Sequence, residues 1–139
     1  MRSILVPIDD SNSSHAALEY ALETFGDDEI TLLHVIDPND PVYGEVSVAG
    51  YSEEWFEMAK RENVEDLFED ARELASGENV STAVEVGSPA REIVEYAQTH
   101  DVDHIVIGSH GRSGVTRLLL GSVSEMVVRR APVPVTVVH

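Results

Sequence analysis

The segment from Gly108 to Glu125, GSHGRSGVTRLLLGSVSE, combines four glycines, four serines and two arginines directly after an apolar run. Glycine permits positive φ and close approach of the backbone to a ligand, and freed main-chain amides can then point at an anion. Residues 104–131 contain four arginines and one glutamate, a local charge of +3 in a chain whose formal net charge is −17. A cationic, glycine-rich loop in an acidic protein indicates an anionic ligand.

The glycines follow the pattern G-x2-G-x9-G-[ST], formed by Gly108, Gly111, Gly121 and Ser122. Neither the P-loop pattern nor the Rossmann G-x-G-x-x-G pattern is present. The residues from Ser122 to Glu125 match a capping box, which predicts the start of a helix. The unpaired N–H groups and the positive dipole end of such a helix favour phosphate.

Composition limits the class of protein. The 139 residues suggest one domain over 1–139, and the absence of cysteine excludes disulfides and thiolate metal sites. A net charge of −17 argues against nonspecific binding to nucleic acid or to an anionic membrane. It favours a protein of a salt-rich cytoplasm, such as that of a halophilic archaeon, because salt screens self-repulsion. Met1 leads directly into a strand-like segment and no apolar run reaches the ~18 residues of a membrane span, so a cytoplasmic location is expected.

The elements that would position this loop alternate between strands and helices. Hydrophobic patterning predicts strands at 3–9, 29–37, 79–87, 103–109 and 133–139, and helices at 11–26, between 51 and 79, at 88–100 and at 122–131, with a loop at 38–51. This alternation predicts a parallel sheet covered by helices on both faces. Ligands bind such sheets beyond the carboxyl ends of the strands, where the strand order reverses. The first and fourth strands are candidates, since each ends in polar residues, IDDSNSS and GSHGRSG.

Several segments together resemble the universal stress proteins over almost the whole chain: ILVPIDDS, LLHVID, GSPAREIVEYA, HIVIGSHGRSG and LLLGSVSEMVVRRAPVPVTVV. The resemblance implies a three-layer α/β/α fold with a five-stranded parallel sheet of order 3-2-1-4-5, Rossmann-like and similar to the adenine-nucleotide alpha hydrolases. Family members that carry the glycine motif bind ATP, and this chain keeps every motif position. The resemblance therefore implies that the chain binds ATP, or AMP or ADP, together with Mg or Mn.

The same resemblance assigns residues to parts of the nucleotide. Pro7, Ile8 and Asp9 would line the nucleoside end, with Asp9 near the ribose or a phosphate-bound metal ion, and Val35 would face adenine through its backbone. Ile107 and Gly108 would flank the sugar. The remaining site residues would surround the phosphates or complete the loop: Ser109, His110, Gly111, Arg112, Ser113, Gly114, Gly121, Ser122, Val123 and Ser124. The segment 38–62 matches no family motif.

Some of these residues have simpler interpretations. Asp9 could cap the first helix with Asp10 and Ser11, His110 could contact only backbone or water, and His34 is expected to pack under the edge of the sheet. Nothing fixes a Ser-His-Asp catalytic arrangement. The loop contains no lysine and one obvious carboxylate is available, so nucleotide binding with at most slow hydrolysis is the expected activity.

The last strand predicts a partner. No charged residue occurs from Ala131 to Val138, although an exposed sheet edge normally carries charge. Pro132 and Pro134 limit pairing on one side, yet the strand favours a homodimer formed through 132–138; the alternative is an interior strand that comes last. The chain is therefore a nucleotide-binding stress-response dimer, a dimer that acts only through protein partners, or a slow ATPase.

Overall fold

The computed structural model describes residues 1–9, 11–39, 53–75, 80–109 and 120–139, with the backbone alone for 53–63. The elements, in chain order, are β1 (Ser3–Pro7), α1 (Asn12–Phe25), β2 (Glu29–Ile36), α2 (Glu53–Ala75), β3 (Val80–Val86), α3 (Pro89–Thr99), β4 (His104–Gly108), α4 (Ser122–Arg130) and β5 (Val135–Val138). All strand pairs are parallel, and the sheet order is β3-β2-β1-β4-β5. The expected α/β fold and strand order are confirmed. Of the predicted loop 38–51, Pro38 and Asn39 are described and the rest lies outside the described residues.

One face of the sheet packs against α1 and α2. The strands alternate, so that Ile4 and Val6 of β1 point to this face while Leu5 points to the other. The core on this face also contains Ala17, Leu18, Ala21, Phe25, Ile30, Leu32, Val64, Phe68, Ala71 and Val106. The apolar stripes at helical spacing in α1 and α2 form because these positions recur every three or four residues.

The opposite face packs against α3 and α4. Ile93 of α3 and Val127 of α4 lie against Leu33 of β2 and Ile105 and Ile107 of β4. Pro89 begins α3 at a position where the missing N–H costs no hydrogen bond. The helices that follow β1 and β2 thus lie on one face, and those that follow β3 and β4 lie on the other. Among the described residues, no helix is both long and apolar enough to cross a membrane.

β5 forms an edge of the sheet, so the alternative of an interior last strand is wrong. The carbonyls of Pro134 and Val138 accept hydrogen bonds from the N–H groups of Ile105 and Ser109 on β4. In a parallel ladder the backbone N–H and C=O groups of alternate residues face the same neighbouring strand. Pro134 and Val138 face β4, so the N–H and C=O groups of Val135 and Val137 face away from the sheet. The N–H that Pro134 lacks would have faced β4. The proline therefore removes no hydrogen-bond donor from the outer edge of β5.

Candidate functional site at the carboxyl ends of β1 and β4

The strand order reverses between β1 and β4. β1 continues through α1 to β2 on one side, whereas β4 lies on the other side of β1 and continues outward to β5. Their carboxyl ends, Pro7 and Gly108, are therefore neighbours in the sheet, where doubly wound folds form a ligand crevice. The two strands proposed from their polar endings are the two that flank the reversal.

Hydrogen bonds join the end of β4 to the start of α4. The N–H of Gly121 donates to the carbonyl of Ser109 at 2.6 Å, and the hydroxyl of Ser124 donates to the same carbonyl at 2.9 Å and to that of Gly121 at 3.1 Å. The start of α4 is thereby held against the end of β4. His110, Gly111, Arg112, Ser113 and Gly114 lie outside the described residues.

The amino end of α4 has main-chain donors without partners inside the helix, although its cap differs from the prediction. The expected capping box is wrong: Gly121 is the N-cap, no side chain caps the helix, and Glu125 instead pairs with Arg129 at 3.0 Å. Ser122 is already helical, and the hydroxyl of Ser124 is directed at carbonyls. The first helical bond runs from the N–H of Glu125 to the carbonyl of Gly121, so the N–H groups of Ser122, Val123 and Ser124 have no partner within the helix.

Gly108 allows a close approach of two backbones. A Cβ at this position would lie 2.6 Å from the carbonyl carbon of Ser13 and 2.7 Å from its carbonyl oxygen and Oγ. The glycine thus admits the first turn of α1. Close backbone approach, and not positive φ, is the property of glycine used here; among the described glycines positive φ occurs at Gly87. The first turn of α1 lies directly beside the end of β4 as a result.

The turn from β1 into α1 is held by Asp9. Its carboxylate accepts from the N–H of Ser11 at 2.7 Å, and its own N–H donates to the hydroxyl of Ser14 at 2.9 Å. Ser11 is the N-cap of α1 and accepts from the N–H of Ser14. The helix-capping interpretation of Asp9 is therefore correct as far as one carboxylate oxygen is concerned. Within the described segments no cluster of three or more His, Cys, Asp or Glu side chains could hold a metal ion.

Buried side chains restrict what several predicted site residues can offer. Ile8, Ile107, Ser109 and Ser124 are at most 6% exposed, so a ligand in the crevice could contact them chiefly through main-chain groups. Pro7 ends β1 beside them, and Val35 lies near the end of β2 on the other side of β1. At these residues, the groups available to a ligand would therefore be mainly main-chain donors and acceptors.

His34 is a residue of this region that sequence reasoning placed differently. It was expected to pack under the edge of the sheet, but β2 is an inner strand and the ring nitrogen Nδ1 donates to the carbonyl of Ile8 at 2.9 Å. The available signal was a polar residue in an otherwise apolar strand end, LLHVI. Its partner, 26 positions away, could not be identified without the strand register.

Among the described residues, the groups with shifted pKa values lie outside the crevice. Burial, with a smaller contribution from Arg2, lowers the pKa of His104 at the start of β4, where Nε2 lies 2.7 Å from the hydroxyl of Thr136. The backbone N–H of Arg2 lowers the pKa of Asp28 at the amino end of β2. Burial, with Glu95 and Glu85 nearby, raises the pKa of Glu92 on α3. These shifts concern stability and carry no acid–base chemistry at the candidate site.

Comparison with known proteins agrees with the observed fold. A sequence model of the universal stress protein family matches residues 1–139. The chain belongs to the universal stress protein family. It is 34% identical to Universal stress protein MJ0577 of Methanocaldococcus jannaschii, over 99% of this chain and 94% of that protein.

Solved structures of universal stress proteins have the same architecture. UspA from Lactobacillus plantarum superimposes with a TM-score of 0.79 at 26% identity, over 99% of this chain and 97% of that one. A universal stress protein in complex with cAMP superimposes with a TM-score of 0.70 at 26% identity, over 99% and 97% of the two chains. The fold that holds the crevice is thus shared with a relative that binds an adenine nucleotide.

Proposed function

We propose that this universal stress protein binds an adenine nucleotide, with ATP the expected ligand, in the crevice at the carboxyl ends of β1 and β4. The observation that carries the proposal is the amino end of α4. Three N–H groups without helical partners, those of Ser122, Val123 and Ser124, are held at the end of β4 by the hydrogen bonds to Ser109. Such an end binds phosphate through both its donors and its dipole.

The other parts of the nucleotide are assigned to main-chain groups around the same crevice. Pro7, Ile8 and Asp9 would contact the nucleoside, Val35 the adenine, and Ile107 and Gly108 the sugar. The predicted loop residues from Ser109 to Gly114 would complete the phosphate site, with Arg112 the cationic partner. The complex of a 26% identical universal stress protein with cAMP supports an adenine nucleotide as the ligand.

A divalent cation would bind together with the phosphates. Asp9 uses one carboxylate oxygen for the turn into α1, and its second oxygen could accept a hydrogen bond from the ribose or contribute to a bound Mg or Mn ion. Most ligands of that ion would come from the nucleotide and water. One carboxylate and no loop lysine are too little for fast phosphoryl transfer, so binding with at most slow hydrolysis is the proposed activity, in a nucleotide-dependent stress-response dimer.

A thermal shift measurement with ATP and Mg²⁺ tests the proposal. A ligand that binds only the folded state stabilises it by about 2.7 kcal/mol at a hundredfold excess over its dissociation constant. Gly121→Val is the control, because the backbone angles at Gly121, φ −67° and ψ 163°, suit any residue. It should fold and lose the shift.

The alternatives give different results in the same preparation. No shift in the unaltered protein would favour a dimer that acts only through protein partners. Steady-state phosphate release near ~1 s⁻¹, within the ordinary range of enzymes, would make the protein an ATPase and overturn the binding-only proposal.

The homodimer through 132–138 is part of the proposal. β5 is a sheet edge without charge, and the polar groups of Val135 and Val137 point outward. A sheet edge without charged residues pairs readily with another strand. A second copy of the same strand is the proposed partner.

A further inference from the structure

The ladder between β1 and β2 ends one rung early at the candidate site. Its register runs from Ser3 opposite Glu29 to Pro7 opposite Leu33, and the N–H of Ile8 still donates to the carbonyl of Leu33 at 2.8 Å. In a parallel ladder the next bond would run from the N–H of Val35 to the carbonyl of Ile8. That bond is not formed, and the imidazole of His34 donates to this carbonyl at 2.9 Å in its place.

The backbone N–H and C=O of Val35 therefore face the β1 side of β2, beyond the point where the pairing with β1 ends. Leu33 directs its carbonyl at β1, whereas Ile36 directs its carbonyl at β3, where it accepts from the N–H of Gly87. Alternation places Val35 in the same orientation as Leu33. Its N–H has no hydrogen-bond partner among the described residues.

The hydrogen bond of His34 is fixed in its direction. A carbonyl accepts only, so Nδ1 must carry the hydrogen, in the neutral ring as in the imidazolium. Ile8 is 6% exposed, and its carbonyl would lack a partner without this donor unless the Val35 N–H moved onto it. A buried acceptor left without a partner is unfavourable, so removal of the imidazole favours closure of the backbone rung.

We infer that His34 is a positioning residue: its side chain satisfies the Ile8 carbonyl in place of a backbone rung and so keeps the Val35 N–H free for a purine base. The inference rests on the proposed function and explains how the proposed contact between Val35 and adenine is kept available. A free strand N–H suits the N1 acceptor of adenine, whereas guanine carries a hydrogen on N1. His34 would thereby contribute to the preference for adenine without touching the nucleotide.

Two substitutions separate this role from packing. His34→Asn keeps a donor at the δ position, and His34→Leu keeps apolar volume without a donor. Without nucleotide, hydrogen exchange of the Val35 amide is measured by NMR, with the ladder amide of Leu33 as the protected reference. The Val35 amide should exchange freely in the unaltered protein and in His34→Asn, and should become protected in His34→Leu.

Binding gives the second readout, with ATP, GTP and inorganic triphosphate as ligands. Loss of one hydrogen bond to the base should weaken ATP binding roughly 3- to 10-fold in His34→Leu. In His34→Leu the affinity for triphosphate should stay unchanged and the preference for ATP over GTP should fall. His34→Asn should keep the ATP affinity and the ATP preference of the unaltered protein.

The outcomes separate the inference from the proposed function. Protection of the Val35 amide in the unaltered protein overturns the inference, and that measurement needs no substitution to fold. Equal weakening of ATP and triphosphate binding in both variants would mean a general structural role and also overturns it. If the unaltered protein binds neither ATP nor triphosphate, the proposed function fails, while the exchange rates still decide whether His34 keeps the Val35 N–H free.

Discussion

Substitution of Gly108 by alanine tests the contact that brings α1 to the end of β4. The new Cβ would lie 2.6 Å from the carbonyl carbon of Ser13 and 2.7 Å from its oxygen, where ordinary contacts are 3.4–4 Å. Relief requires the two backbones to separate by several tenths of an ångström. The first turn of α1 cannot move easily, because three hydrogen bonds link Asp9, Ser11 and Ser14 to one another.

Overpacking of this kind costs about 1–3 kcal/mol, which corresponds to a fall in melting temperature of about 3 to 12 °C for a chain of this size. Urea unfolding followed by circular dichroism measures the loss, and a nucleotide titration of the same variant should show weaker binding as the crevice widens. The control background is Ser13→Ala, which removes only the Oγ contact. Gly108→Ala should lower the free energy of unfolding in the Ser13→Ala background as well, because the clashes with the backbone atoms of Ser13 remain.

An unchanged unfolding midpoint in Gly108→Ala would refute the reasoning, since it would mean that α1 can move away without loss. Full rescue by Ser13→Ala would refute it in another way, by showing that the hydroxyl alone and not the backbone makes the contact.

Three further predictions concern other parts of the molecule. Because burial lowers the pKa of His104, the unfolded state binds its proton first, so the contribution of His104 to stability is complete above pH about 6.5 and is lost as the pH falls below that value. The free energy of unfolding, measured with urea between pH 7.5 and 5.5, should therefore depend less on pH in His104→Gln than in the unaltered protein. An equal pH dependence in the two proteins would contradict the lowered pKa of His104. Val137→Pro removes an outward N–H of β5 and should give a monomer by sedimentation velocity, whereas a dimer unaffected by it does not use this edge. With a net charge of −17, the protein should lose stability on dilution from ~1 M to ~10 mM KCl as the screening length grows from roughly 3 to 30 Å, and full stability at the lower concentration would refute salt adaptation.

The sequence allowed the elements to be predicted, because they depend on local patterns. Alternating and helical spacing placed the five strands and α1, α3 and α4 within two residues of their observed bounds, and α2 lies within the range 51–79 expected for it. The polar endings of β1 and β4 identified the strands that flank the reversal. The helix expected to begin at Ser122 does begin there, although without the predicted capping box.

The contacts that shape the site depend on distant parts of the chain and could not be predicted. The neighbour of Gly108 is Ser13, which only the packing of α1 over β4 brings close. Ser124 was assigned to the phosphates, but its hydroxyl turns inward to the carbonyl of Ser109. The donor role of His34 depends on the register of β1 and β2, which is a property of the folded sheet.

Titration of the isotope-labelled protein with ATP and Mg²⁺, followed through backbone amide NMR shifts, tests the central claim most directly. We predict saturable shifts concentrated at the amides of Val35, Ser122 and Val123. Inorganic triphosphate should reproduce the shifts at α4 and leave the amide resonance of Val35 unshifted. Saturable binding without shifts at α4, or no saturable shifts at all, would contradict it.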